Sequence, residues 1–325
     1  MNANPLVWSG RLDSSSSERF HQKIQAFSSL RAEQCASPAV ALLRFACDAG
    51  VVRNHGRAGA RLGPRALCAQ LANLCLPEDF SWHLYEAGEV ICPADELEKS
   101  QQELAQHIHA VRAAGCLPLI LGGGHETAWA TFQGIKPSSP ARRLGVINFD
   151  AHFDLRPLQG PEQLGNSGTA FNQIAQWYAD NSLPFDYSCI GIQPSSNSLS
   201  LWRRSQELGV GVVTAEDLHL RGSGRAEALI EALIERCDEI YLSLCLDVFA
   251  AAYAPGVSAP APLGLTPWQV LPLLQILVAS GKVVAMDVVE LSPPFDEGQR
   301  TAKLAAAMVM AMLNALPSKK VLFRA

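Results

Sequence analysis

Residues 144–154 read Leu-Gly-Val-Ile-Asn-Phe-Asp-Ala-His-Phe-Asp, and this stretch decides the fold. Its apolar beginning, residues 144–147, is typical of a strand buried in a parallel sheet. Beyond it, Asp150, His152 and Asp154 stand at alternate positions, so their side chains share one face of an extended chain. Open α/β sheets bind ligands at the carboxyl ends of their strands, and the stretch therefore predicts a ligand site there.

This triplet of polar side chains indicates a divalent metal ion. Two carboxylates and an imidazole crowded onto one face repel and dehydrate each other unless a cation joins them. The alternative is a surface turn in which the Asp-x-His pattern occurs by chance. The segment alone does not separate the two interpretations.

Two further apolar runs end in the same way. Residues 116–121 lead into Gly-Gly-Gly-His-Glu at 122–126, where the glycines permit a sharp turn and place a histidine at the start of the next helix. Residues 239–246 lead to a cysteine and an aspartate at alternate positions. The three strand ends together offer enough ligands for two metal ions, namely His125, Asp150, His152, Asp154, Cys245 and Asp247.

The order of these motifs resembles a known superfamily. Gly-Gly-Gly-His-Glu at 122–126, Asp-Ala-His-Phe-Asp-Leu-Arg at 150–156 and Cys-Leu-Asp-Val at 245–248 resemble the ureohydrolases, the superfamily of arginase and agmatinase. Within it, the 150–156 motif, Arg-Asn-His-Gly-Arg-Ala-Gly-Ala at 53–60 and Ala-Pro-Gly-Val-Ser-Ala-Pro at 254–260 resemble formimidoylglutamases. The resemblance spans residues 45–325.

The resemblance implies an α/β fold, namely the three-layer α/β/α arginase-like fold with a central, mostly parallel, eight-stranded sheet. The alternation of apolar runs and helical stretches along the chain agrees with a doubly wound pattern. Further strands are expected at 188–192, 210–214, 241–246, 283–289 and 320–323, with helices such as 227–237 and 267–279. With 48% hydrophobic residues, residues 1–325 are expected to form one domain with an N-terminal extension of about residues 1–35.

The resemblance also implies two Mn²⁺ ions per chain. It makes Asp150 the carboxylate that bridges both ions and places one histidine on each ion, His125 and His152. Asp154 and Asp247 match terminal ligands on opposite ions.

Cys245 departs from the family pattern, because most ureohydrolases carry Asp-x-Asp where this chain has Cys-Leu-Asp. Manganese is a hard cation that prefers oxygen, whereas a thiolate is a soft ligand. Cys245 is therefore either a ligand or a small buried residue that binds nothing. A further hypothesis is that Cys245 oxidises or pairs with Cys47 when metal is absent.

The implied reaction is hydrolysis of N-formimidoyl-L-glutamate to L-glutamate and formamide, in histidine degradation. Two adjacent cations lower the pKa of a shared water enough to hold hydroxide near neutral pH, and that hydroxide attacks the formimidoyl carbon. Asp154 is the expected proton carrier. Glu290 matches the superfamily's carboxylate that binds the cationic amidinium, with an ordinary surface glutamate as the alternative. Asp287 either supports the site from behind or accepts at a helix cap.

Substrate recognition is expected to need cationic groups, because formimidoylglutamate carries two carboxylates. Arg156 stands where arginase-like enzymes have an asparagine that holds the substrate's carboxylate, and an arginine grips a carboxylate with two prongs. Arg57, in the glycine-rich loop, is a second candidate, and a surface salt bridge is the alternative for either arginine. Asn166 and Ser167 occupy the place of a substrate-binding segment whose histidine is missing here, which argues against arginase itself.

Composition excludes several other classes of protein. A net charge of −5 with scattered lysines and arginines argues against nucleic acid. The longest apolar stretch, residues 304–316, is too short to span a membrane. The first residues lack a secretion signal, and nine irregularly spaced cysteines fit a reducing compartment. The expectation is a cytoplasmic enzyme, with a homo-oligomer left open. The alternatives are another ureohydrolase, such as guanidinobutyrase or agmatinase, and a catalytically silent metal-binding relative.

Overall fold

A sheet of nine strands runs through the computed structural model, which describes residues 8–13, 18–27, 38–137 and 141–317. The strands in these ranges are β1 (Ile24–Ala26), β2 (Ala39–Ala46), β3 (His83–Ile91), β4 (Cys116–Leu121), β5 (Leu144–Phe149), β6 (Asp186–Ile192), β7 (Gly211–Thr214), β8 (Glu239–Cys245) and β9 (Val283–Val289). The spatial order is β1-β3-β2-β4-β9-β8-β5-β6-β7, and every neighbouring pair is parallel. The predicted α/β architecture with a central parallel sheet is therefore confirmed.

Helices connect the parallel strands, as parallel pairing requires. The α-helices of the described residues, of which α1 precedes β1 and α11 follows β9, are α1 (Phe20–Lys23), α2 (Ala49–Arg53), α3 (Gly63–Leu71), α4 (Leu97–Ala113), α5 (Thr127–Ile135), α6 (Ala170–Asp180), α7 (Leu199–Glu207), α8 (Ala215–Arg221), α9 (Gly224–Arg236), α10 (Pro267–Ala279) and α11 (Arg300–Asn314). No helix within the described ranges has the length and apolar character needed to cross a membrane.

Two hydrophobic cores lie on opposite faces of the sheet. The core on one face includes Leu71 of α3, Leu273 of α10 and Val309 of α11. The core on the other face includes Ile108 of α4 and Phe132 of α5. Alternate residues of each central strand contribute to one core or the other, as the pleat of a strand dictates. The result is the predicted three-layer arrangement.

The described residues form nine strands, one more than the eight that were predicted. The additional strand is β1, which pairs in parallel with β3 at the edge of the sheet, with Ile24 opposite Leu84. It lies inside the segment that the sequence predicts to be only an extension. The predicted bounds of β9 and α10 are confirmed, and the strand expected at 320–323 lies outside the described residues.

The strands β2 and β3 were not predicted, because charged residues interrupt their apolar runs. Arg44 of β2 is 1% exposed, and its guanidinium nitrogens lie 2.9 Å from Glu86 Oε1 and 3.0 Å from Glu89 Oε1 of β3. Paired in this way, the charges satisfy each other inside the sheet. These charged residues hide the hydrophobic pattern of β2 and β3 in the sequence.

The sheet order brings the polar strand ends together. The strands β4, β9, β8 and β5 are adjacent at the centre of the sheet. Because all four are parallel, their carboxyl ends meet at one edge, and the motifs that follow them converge there.

Candidate metal centre

Asp150 lies at the middle of the converging side chains. Its backbone N–H donates to the carbonyl of Ile190, which extends the sheet by one residue beyond β5. Its carboxylate is fully buried, and the two oxygens face different histidines. Asp150 Oδ2 is 2.9 Å from His125 Nδ1, and Asp150 Oδ1 is 3.4 Å from His152 Nδ1. One carboxylate thus contacts two separate imidazoles.

Each histidine has a second carboxylate neighbour. Asp154 Oδ2 lies 2.9 Å from His125 Nδ1, and Asp247 Oδ2 lies 3.1 Å from His152 Nδ1. This division of the two aspartates between the two histidines matches the division that the family resemblance implies for opposite metal ions.

Two sets of candidate ligand atoms share Asp150. In one set, atoms of His125, Asp150 and Cys245 all lie within 4.8 Å of one another, and in the other, so do atoms of Asp150, His152 and Asp247. The structure therefore brings together the six residues singled out at the three strand ends.

The hydrogen-bonding pattern of His125 tests whether a cation fits. Ser243 Oγ donates its hydrogen to Asp287 Oδ1 at 2.6 Å. Ser243 Oγ therefore acts as the acceptor for His125 Nε2, which lies 3.0 Å away. A neutral His125 that carries its hydrogen on Nε2 has only a lone pair on Nδ1. That buried nitrogen has no hydrogen-bond partner and faces two carboxylate oxygens. A cation between these three atoms removes the repulsion, so the residues fit a metal ion.

The pKa of His125 reports the same excess of negative charge. Burial disfavours the charged imidazolium, but the neighbouring carboxylates of Asp150 and Asp154 outweigh it and raise the pKa well above its usual value. A site that holds several buried carboxylates requires compensating positive charge.

Cys245 is buried beside this charge. Burial, followed by the charges of Asp150 and Asp247, raises the pKa of its thiol well above the usual value. A thiolate ligand at this position would therefore need the cation to stabilise it. Cys245 and Cys47 are both free thiols.

The glycine-rich turn after β4 allows the close approach of β2 to the site. A Cβ atom on Gly123 would stand 1.7 Å from the carbonyl oxygen of Cys47, so no larger residue fits without moving the backbone. That carbonyl accepts a hydrogen bond from the N–H of Gly124 at 3.0 Å. The turn then delivers His125 to the centre, as the sequence predicts.

Glu290 follows β9 and is fixed by the same turn. Its N–H donates to the carbonyl of Gly123 at 2.8 Å, and its Oε1 accepts from the N–H of His125 at 2.8 Å. Burial raises the pKa of its carboxyl well above the usual value. Both Glu290 and Asp154 have positive φ angles, 71° and 48°, a conformation that non-glycine residues adopt at a cost and that concentrates at functional sites.

A cavity of about 310 Å³ opens over these residues. Its lining includes His125, His152, Asp154, Cys245, Asp247 and Glu290. Five of the six candidate ligands, all but Asp150, and Glu290 therefore face a space large enough for a small organic molecule.

The predicted substrate-binding residues differ in their placement. Arg156 and Ser167 line the cavity. Among the described residues, no hydrogen bond or ion pair engages the guanidinium of Arg156, which leaves it able to bind an anion. Asn166 is buried and does not line the cavity; its Oδ1 accepts from the N–H of Gly168 at 2.8 Å.

Arg57 lines the cavity, but its guanidinium is held by the protein. Its Nε donates to the carbonyl of Ser258 at 2.9 Å, its second terminal nitrogen donates to the carbonyl of Val257 at 2.7 Å, and the group lies 3.9 Å from the centre of the Phe295 ring. These contacts join the 53–60 loop to the 254–260 loop. Arg57 thus acts as a tether between loops in this structure.

Several cavity residues were not predicted. They include Asn54, His55, Ser196, Asn197, Leu201 and Ser258. Leu201 comes from α7 and the others come from segments between the main strands and helices, so none follows a strand-end signal. The glycine-rich motif was the only hint for those near residue 55. Behind the cavity, Asp287 accepts from Ser243 on β8 and from Thr131 within α5, so it supports the site from behind and is not a helix cap.

Comparison with known proteins agrees with this geometry. Residues 38–314 match the family described as the Arginase family. A formimidoylglutamase of Legionella pneumophila (strain Paris) is 47% identical over 312 residues, which cover 96% of this chain and 96% of that protein. The crystal structure of Trypanosoma cruzi formiminoglutamase with Mn²⁺₂ has a TM-score of 0.78 and 26% sequence identity, and covers 88% of this chain and 96% of that one. The formimidoylglutamase of Bacillus subtilis shares the fold, with a TM-score of 0.81 at 20% identity and 94% coverage of both chains.

Proposed function

Because the chain belongs to the arginase family and is a hydrolase of the formimidoylglutamase kind, we propose that it hydrolyses N-formimidoyl-L-glutamate to L-glutamate and formamide with two manganese ions. The reaction completes histidine degradation. We place it in a single arginase-like domain with a short N-terminal segment, working in the cytoplasm on a small-molecule substrate, as a monomer or a homo-oligomer.

The proposal rests on one observation. Two sets of candidate ligand atoms share Asp150, and the cavity beside them is lined by Arg156, whose guanidinium has no hydrogen-bond or ion-pair partner among the described residues. The shared carboxylate supports a binuclear centre. Arg156 supports an anionic substrate, because an unpaired guanidinium in a polar cavity is a strong carboxylate-binding group. Agmatine has no carboxylate to pair with it, so agmatinase is the weaker alternative.

Manganese suits most of this donor set. Five of the six candidate ligands are carboxylates or imidazoles, and such ligands are common for Mn²⁺ in proteins. The Trypanosoma cruzi relative was crystallised with Mn²⁺. When bound, two such cations supply an activated water molecule and neutralise the carboxylates around it.

Glu290 orients the reacting group in this proposal. Its Oε1 is held by the N–H of His125, which leaves its other oxygen to accept from an N–H of the amidinium that enters the cavity. The charge pair fixes the planar formimidoyl carbon relative to the ligand sets. Pairing with the substrate's amidinium also compensates the cost of burying the charged carboxylate of Glu290.

Asp154 carries the proton that the departing amine requires. It faces the cavity and contacts His125, and its pKa is raised, first by burial and then by the neighbouring charge of Asp150. A raised pKa makes a carboxylate a better proton acceptor, so Asp154 is suited to take up a proton and pass it on. Transfer from Asp154 to the glutamate nitrogen completes the release of formamide and L-glutamate.

A product assay after manganese loading tests the function. Purified protein should release glutamate and formamide from formimidoylglutamate much faster than it acts on arginine, agmatine or 4-guanidinobutyrate. A preference for 4-guanidinobutyrate or agmatine would show that the protein has a different ureohydrolase activity. Absence of turnover with all four substrates, with two ions bound, would identify a silent metal-binding relative.

A further inference from the structure

A polar pair lies directly beneath the metal centre, on neighbouring strands of the sheet. Ser243 of β8 is paired in register with Asp287 of β9. Both side chains are fully buried. Ser243 and Cys245 stand two residues apart on one strand and so share a face. The pair is thus one step below the candidate ligands, on the face that bears His125.

Asp287 collects hydroxyl donors. Its Oδ1 accepts from Ser243 Oγ at 2.6 Å, and its Oδ2 accepts from Thr131 Oγ1 at 2.9 Å and from the hydroxyl of Tyr241. A side chain that accepts from three hydroxyl groups fixes the direction of each hydrogen bond. The hydrogen of Ser243 therefore points at Asp287 and away from His125.

The direction of the Ser243 hydrogen bond determines the tautomer of His125. Since Ser243 Oγ has given its hydrogen to Asp287, it accepts from His125 Nε2, 3.0 Å away. Nδ1 of the neutral ring is then a lone pair aimed at Asp150 and Asp154. A hydrogen on Nδ1 would prevent that nitrogen from binding a metal.

We propose that Ser243 and Asp287 are positioning residues that hold His125 in the tautomer and orientation needed to bind one of the two ions. This inference rests on the metal centre proposed above and not on the identity of the substrate. The chain Asp287–Ser243–His125 continues through Thr131 into α5, so it also ties the ring to the helix that follows its own turn.

The second histidine lacks such support. Among the described residues no hydrogen bond engages His152 Nε2, and the side chain is 25% exposed, compared with 2% for His125. Loss of Ser243 or Asp287 should therefore weaken the ion at His125 and spare the ion at His152. That selectivity separates a positioning role from a general effect on folding.

Manganese binding is the test, measured by calorimetric titration of the metal-free full-length protein for Ser243→Ala, Asp287→Asn and the double variant. We expect one of the two ions to bind roughly 10- to 100-fold more weakly in each single variant, with the other ion within about threefold of the unmodified protein. The double variant should lose little more than either single variant, because both act through one chain of hydrogen bonds.

Ser292→Ala is the matched control. Ser292 is also a fully buried serine, but its hydroxyl has no partner in the part of the chain described. The Ser292→Ala variant should bind both ions as tightly as the unmodified protein. The melting temperature of each variant in excess chelator separates loss of fold from loss of metal binding. Asp287→Asn keeps the size and shape of the side chain, whereas Ser243→Ala removes the hydroxyl and leaves a small gap.

The outcomes distinguish this inference from the proposed function. Two ions bound as tightly by Ser243→Ala and Asp287→Asn as by the unmodified protein would overturn the positioning role alone. Equal weakening of both ions would overturn it as well. Fewer than two ions in the unmodified protein would overturn the binuclear proposal itself.

Discussion

Asp150 is the residue on which the metal centre depends most, because each of its oxygens contacts a different histidine. Its position was predictable, since residues at alternate positions after a buried strand must share a face. Ser243 was not, because a serine within an apolar run carries no signal until the strand opposite it is known. Strand order and register are properties of the fold that spacing along one strand does not contain.

Asp150→Asn should reduce bound manganese from two ions toward one or none and lower activity by at least about 10- to 100-fold, since it removes the charge shared between the ligand sets. Elemental analysis of the purified variant measures this. His107→Ala on α4, far from the strand ends in sequence, should change neither quantity. Unchanged metal content in Asp150→Asn would contradict a bridging role.

Arg156→Ala should reduce kcat/KM for formimidoylglutamate by the equivalent of roughly 2 to 4 kcal/mol, because it removes a charged partner of a substrate carboxylate. Analogues that lack one carboxylate each, N-formimidoyl-4-aminobutyrate and N-formimidoyl-2-aminobutyrate, identify which carboxylate it binds. The analogue without that group should be insensitive to the substitution. Equal losses on all three substrates would show that Arg156 does not bind a carboxylate.

At the scale of elements, the centre exists because β4, β9, β8 and β5 are neighbours although they are far apart in the chain. The sequence predicted polar groups at three strand ends and a further strand at 283–289 directly before Glu290, and the parallel rule predicted that such strand ends share an edge. The hydrophobic pattern did not reveal β2 and β3, where Arg44, Glu86 and Glu89 form a buried ion network in place of apolar residues. A pattern based on hydrophobicity cannot recognise a strand whose interior is charged and paired.

Arg44→Ala should lower the free energy of unfolding by about 3 to 5 kcal/mol, because it leaves Glu86 and Glu89 buried without their shared cation. Urea unfolding measures this. Arg65, a 58% exposed partner of Glu89, is the matched control, and Arg65→Ala should cost about 0 to 1 kcal/mol. Similar costs for the two variants would show that the buried network does not hold β2 against β3.

At the scale of the whole molecule, the bound ions should stabilise the fold, because they bind the native arrangement of ligands and not the unfolded chain. Free metal at a hundredfold excess over the dissociation constant contributes about 2.7 kcal/mol for one site. Chelation should therefore lower the melting temperature, measured by scanning calorimetry, and Asp150→Asn should melt with little dependence on manganese. A melting temperature unaffected by chelation in the unmodified protein would contradict metal binding at the centre.

The most direct test of the account is anomalous diffraction at the manganese absorption edge from crystals of the loaded protein. The account predicts two peaks, one beside each carboxylate oxygen of Asp150, with His125 and Asp154 at the first and His152 and Asp247 at the second. A single peak, or two peaks that do not share Asp150, would contradict a binuclear centre bridged by that residue.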